Sequence, residues 1–191
     1  MRLTLKSVAT IAAIGLLSAS GADAHVFGEH AGGFVAGAAH PFSGLDHVLA
    51  MVAVGLWAAQ SGARAPWAIP LAFLAAMGAG SAVALAGFAL PHVEAGIAAS
   101  VLVLGLVVAA ALRLPVSAGA AVAGMFAAFH GYAHGAEFPA MVAPVTYAAG
   151  FLIATAALIG AGYASGRRLG SRAVRFAGVC VAVTGAAMLA G

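Results

Sequence analysis

Six apolar segments, near residues 34–60, 67–90, 94–112, 115–134, 140–163 and 173–190, follow one another with only short polar interruptions. Each approaches the roughly 20 residues that an α-helix needs to cross a hydrocarbon core. Backbone polar groups in hydrocarbon must be satisfied within the segment, which restricts such stretches to helices. The pattern predicts an all-α integral membrane protein, a six-transmembrane-helix bundle with no extramembrane domain. Composition agrees, since 64% of the 191 residues are hydrophobic and 7% are charged, against roughly 25% charged in soluble domains. The net charge of +3 does not point to nucleic acid, because a few basic residues scattered over six spans build no basic groove. The single cysteine, Cys180, rules out an internal disulfide framework and a cysteine-rich metal cage.

The first 24 residues are of another kind. Arg2 and Lys6 form a basic start, Val8 to Leu17 an apolar core, and Ala22-Asp23-Ala24 an A-x-A site. This is the pattern of a secretory signal peptide, and its apolar core is too short to span as an ordinary helix. The expected organisation is therefore a cleaved signal peptide, 1–24, followed by a six-helix domain, 25–191. Cleavage places His25 outside, and the connections then alternate. Arg64, Arg113, Arg167, Arg168, Arg172 and Arg175 all fall on the inner side, as the positive-inside rule expects. Both mature termini are expected outside. The first and fourth spans run oppositely and both carry histidines, which is compatible with a three-plus-three inverted repeat, although the halves show no convincing identity.

Against this apolar background the polar residues stand out. Span one carries His40-Pro41, Gly44 and Asp46-His47; span four ends Phe129-His130-Gly131-Tyr132-Ala133-His134-Gly135-Ala136-Glu137. A charged side chain at the centre of a span costs at least about 2.5 kcal/mol, and ionisable residues there mark functional sites by default. His130 and His134 are four residues apart and Glu137 three further, so a continuing helix sets all three on one stripe. Two histidines at that spacing can chelate one divalent ion. Gly131 and Gly135 form a G-x-x-x-G pair that lets a neighbouring helix approach closely.

Depth along the helices relates the two clusters. Counted from the inner ends of their spans, His47 lies about 21 Å along and His130 about 24 Å, while His40 and His134 both fall near 30 Å. His47 is thus expected opposite His130, and His40 opposite His134. An unbroken helix would separate His40 from His47 by about 10 Å, too far to share an ion. Pro41 disfavours helical geometry at His40 and suits the start of a new helix, so a break is expected there. Either the break folds His40 towards Asp46 and His47, or two sites follow one another.

Imidazole and carboxylate donors suit nickel, cobalt, zinc, copper and iron. Met51, Met77 and Met125 read as packing rather than as ligands. His25, Glu29 and His30 near the mature N-terminus, with His92 and Glu94 in the next outer loop, are candidates for outer metal capture; Glu94 also suits a helix start.

The paired motifs, the following Val54-Gly55-Leu56-Trp57-Ala58-Ala59-Gln60, and the order of the spans resemble the hydrogenase/urease accessory membrane proteins of the HupE/UreJ family. The H-x5-D-H spacing differs from the H-x4-D-H of the separate nickel/cobalt transporter family, which has more spans. The resemblance implies a secondary nickel permease of the bacterial inner membrane, with periplasmic mature termini, which admits cobalt as a second candidate and supplies nickel enzymes such as hydrogenase or urease. It implies no enzymatic activity and no resident cofactor, the metal ion being the substrate. Carried over by residue, it points to His40, Asp46 and His47 in span one, Glu94 at the outer end of span three, and His130, His134 and Glu137 in span four. Two other readings are an intramembrane zinc hydrolase, which needs three ligands and an open position, and a metal sensor that binds without transport.

Overall fold

The computed structural model describes residues 32–62, 66–138 and 143–191. Residues 1–24, read above as a signal peptide, and His25, Glu29, His30 and Arg64 lie outside the described residues. Every described element is helical: α1 (Gly33–Ala39), a short 3-10 turn (His40–Phe42), α2 (Leu45–Gln60), α3 (Ala68–Leu85), α4 (Val93–Ala110), α5 (Val116–Ala136), α6 (Pro144–Arg168) and α7 (Ser171–Ala190). Five of these helices are long and apolar enough to cross a membrane, and six spans result if α1 and α2 count as one bent span.

The bend between α1 and α2 is 81°. It follows from local sequence. Pro41 has no N–H to continue the α-helical ladder, and the chain tightens into the 3-10 turn, which the Ser43 amide and hydroxyl close by donating to the His40 carbonyl at 3.0 and 2.6 Å. Gly44 then turns extended (φ −111°, ψ 125°) and starts α2. The expectation of non-helical geometry at His40 is corrected here. His40 stays helical (φ −57°, ψ −43°), and the chain leaves helical geometry at Gly44. The proline occupies the first turn of a new short helix, where its fixed φ is compatible with both neighbours.

Other boundaries shift for equally local reasons. The second span ends at Leu85 rather than near residue 90, because Gly87 adopts φ 80°. Its amide and that of Phe88 cap the Ala84 and Val83 carbonyls, the double closure of a helix by a left-handed residue. The same closure ends α4 without a glycine: Ala111 takes φ 52°, and the Ala111 and Leu112 amides cap Val108 and Val107.

Three helix pairings dominate. The bent α1–α2 pair packs along α6, α3 packs on α5, and α4 packs on α7. Glycines permit the backbone approach: Gly55 and Gly162 between α2 and α6, Gly80 and Gly131 between α3 and α5, Gly105 and Gly178 between α4 and α7. Without a hydrophobic drive between helices in lipid, such close van der Waals approach is what holds spans together. Arg113, Arg167, Arg168, Arg172 and Arg175 sit at or beyond the helix ends that meet at one end of the bundle, where Arg175 donates to the Ala109 carbonyl at 2.8 Å. At the opposite end lie the 3-10 turn of His40, the start of α4 with Glu94, and the end of α5 with Glu137. Met51, Trp57, Phe73, Met77, Val101 and Leu104 are fully buried in one apolar cluster between the helices. Trp57 Nε1 donates to the Leu112 carbonyl at 2.9 Å and Gln60 Nε2 to the Val108 carbonyl at 3.1 Å, tying the end of α2 to the end of α4.

Candidate metal centre

The 3-10 turn, α2 and α5 bring the histidines together. The His47 ring centroid lies 4.7 Å from that of His130, and the His40 centroid 4.7 Å from that of His134. These are the level pairings that helical rise predicts. The lateral link between levels is His134, whose ring lies 4.2 Å from His47. The four imidazoles therefore form one file, His40–His134–His47–His130, running inward from the 3-10 turn. His130 is 0% exposed and His134 4%.

The outer part of the file includes a carboxylate. His40 Nε2 and Glu137 Oε2 are 3.5 Å apart, and His40, His134 and Glu137 can each offer a donor atom within 4.8 Å of the others. Two donors on one ion at ordinary metal–nitrogen distances lie at most about 4.2 Å apart, so this trio closes on an ion with shifts below an ångström. Glu137 is the residue after α5 rather than part of its stripe; its amide still caps the Ala133 carbonyl.

The inner part is organised by Asp46. Its Oδ1 accepts the His47 amide at 2.9 Å and pairs with His47 Nδ1 at 2.8 Å. A carboxylate only accepts, so the ring proton of neutral His47 sits on Nδ1 and the lone pair on Nε2. Gly44 makes room for this pair, since a Cβ there would stand 2.5 Å from Asp46 Oδ1 and 2.9 Å from His47 Nδ1. Asp46 thus orients His47, the usual function of a carboxylate beside a ligating histidine.

The nitrogens left over fit a cation. His47 Nε2, His130 Nδ1 and both His134 nitrogens are buried with no hydrogen-bond partner among the described residues. Each buried polar atom left unpaired costs about 1–3 kcal/mol, and a cation that takes one lone pair from each ring removes that cost at the nitrogen it binds; the other nitrogen of neutral His134 carries the proton. Met51 and Met77 are fully buried packing residues and Met125 lies on the surface.

Not all candidates converge. Glu94 is exposed in the first turn of α4. It lines a cleft of about 310 Å³ together with Asp46, Ile97, Ala98 and Met188, separate from the His40–His134–Glu137 trio. His92 is exposed and starts α4 in the left-handed region, φ 57°. The sequence reading missed three neighbours of the file. Phe151 packs its ring 4.2 Å from His134, Tyr147 lies 5.9 Å from His40, and buried Ser100 meets His130 Nε2 at 2.6 Å. A lone hydroxyl inside an apolar span was the one available signal for Ser100; nothing distinguishes Phe151 from other span aromatics.

The sequence model of the family described as HupE / UreJ protein matches residues 11–188. The chain belongs to the HupE/UreJ family. It is also 48% identical over 190 residues to Protein HupE of Rhizobium leguminosarum bv. viciae, covering 97% of this chain and 98% of that protein. No solved structure matches. Within this HupE/UreJ chain, the motif residues of spans one and four are those that assemble the histidine file.

Proposed function

We propose that this protein is a secondary permease that carries a divalent transition-metal ion, nickel first and cobalt second, inward across the bacterial inner membrane to supply nickel enzymes. The observation that carries the reading is the continuous file of four imidazoles, three of which hold buried nitrogens without a hydrogen-bond partner among the described residues. A carboxylate lies beside it at each level, Glu137 near His40 and Asp46 on His47. Ionisable residues placed inside a bundle in this way are the usual lining of an ion pathway.

In this reading Glu94 and Glu137 attract the hydrated ion at the periplasmic face. The trio of His40, His134 and Glu137 takes it first, and His134 passes it to His47 and His130. Asp46 offsets the cation's charge through His47. The plug of Trp57, Phe73 and Met51 inward of the histidines favours a carrier that must rearrange to release the ion over an open channel. The positive-inside bias supports the inward direction. The three pairings also support the inverted repeat: exchanging spans one and four, two and five, three and six maps the α1–α2/α6 pair onto α5/α3 and the α4/α7 pair onto itself.

Uptake of radioactive nickel by cells expressing the wild type, His47→Ala or Asp46→Ala tests the reading. Wild-type accumulation above the empty vector, lost in both variants, is expected. Equal uptake in all four strains sinks it. Competition by cobalt, zinc and manganese then ranks the metals.

A further inference from the structure

Asp46 fixes His47, but the deeper histidine has no carboxylate of its own. His130 is fully buried, and its one hydrogen-bond partner among the described residues is Ser100 of α4, Oγ to Nε2 at 2.6 Å. The same Oγ lies 2.6 Å from the carbonyl of Ile97, one turn back on its own helix.

A serine hydroxyl has a single proton. If that proton went to His130 Nε2, the hydroxyl oxygen and the Ile97 carbonyl oxygen would face each other at 2.6 Å with no hydrogen between them. The remaining ring N–H would then sit on Nδ1, which is buried without an acceptor among the described residues. Both problems vanish in the other arrangement. Ser100 donates to the Ile97 carbonyl, and its oxygen accepts from His130 Nε2–H. Nδ1 then carries a bare lone pair, on a ring whose centroid lies 4.7 Å from that of His47.

We propose that Ser100 is a positioning residue that fixes His130 as its Nε2–H tautomer and thereby presents the Nδ1 lone pair to the transported cation. The proposal deepens the metal-path reading and rests on it for the identity of the ligand. Ser100 does for His130 what Asp46 does for His47, with one difference. A neutral hydroxyl orients the ring without adding charge, so the deepest histidine binds a cation less tightly than an Asp-backed one and releases it more readily. A path needs such a weak last site.

Nitrogen NMR of the metal-free, purified full chain with isotope-labelled histidine reads the tautomer directly; the His130 signals are those missing from His130→Asn. Wild type is expected to be protonated at Nε2 and bare at Nδ1. Ser100→Ala is expected to give a tautomer mixture and to weaken nickel(II) binding in solution by roughly 10–100-fold. Ser100→Thr, which keeps the hydroxyl, should restore both readouts. A wild-type His130 protonated at Nδ1, or a folded Ser100→Ala with wild-type nickel affinity, overturns the proposal. Should Ser100→Ala fail to fold, the wild-type tautomer decides alone. A wild type that binds no nickel sinks the transport reading, while the tautomer result still judges Ser100.

Discussion

Replacing Gly131 with alanine should disable the proposed metal path without touching a proposed ligand. Gly131 lies between His130 and His134 and faces the backbone of α3. A Cβ there would stand 2.7 Å from Met77 Cα, with the Met77 carbonyl nearer still, where ordinary contact begins at 3.4 Å. The shortfall is 0.7 Å at the Met77 Cα and larger at its carbonyl, and it is against backbone, which cannot rotate away as a side chain can. Parting α3 and α5 far enough to admit it costs at least about 1–3 kcal/mol in packing. A helix interior returns roughly 1 kcal/mol for Gly→Ala, so the protein should still fold. The displacement matters more for chemistry, because a ligand constellation tolerates only about 0.5 Å of misplacement. Nickel affinity of the purified full chain, measured by titration against a competing chelator, should fall by roughly tenfold or more, and cellular uptake with it. Gly124→Ala is the control on the same pair of helices. Its Cβ would meet Ala76 Cβ at 3.5 Å and the Ala72 carbonyl at 3.8 Å, which is ordinary contact, and it should behave as wild type. If both variants bind and transport nickel normally, the close α3–α5 approach does not set the positions of His130 and His134.

Two further outcomes follow from local geometry. Asp46→Asn keeps an acceptor for His47 Nδ1 but removes the charge, so it should weaken nickel binding less than Asp46→Ala, both lying within roughly a hundredfold of wild type; equal affinities for wild type and Asp46→Ala would show that the carboxylate does not orient His47. Ala111→Gly relieves a left-handed backbone at φ 52° and should stabilise the protein by up to about 1 kcal/mol, seen as a higher midpoint in thermal unfolding of the detergent-solubilised protein; an unchanged or lower midpoint argues that Leu112, whose carbonyl receives Trp57, needs the alanine in place.

Axial order was legible in the residues alone. Apolar run lengths locate the spans, arginines sort their ends, and 1.5 Å of rise per residue puts His47 level with His130 and His40 level with His134. Pro41 and Gly44 announce the bend, although the extended residue turned out to be Gly44 and not His40. These properties are local, because a helix fixes the height of each residue from its neighbours in sequence. Azimuth and ring orientation are not local. That Glu94 shares a cleft with Asp46 rather than joining Glu137 depends on how α2, α4 and α7 meet. Which nitrogen of His130 is free depends on a hydroxyl 30 residues away on another helix. The sequence by itself determined which residues stand at each depth of the membrane; the packing of α3, α4 and α6 around α2 and α5 decided which lone pairs face one another, since only neighbours distant in sequence can hold an imidazole in one rotamer and one tautomer.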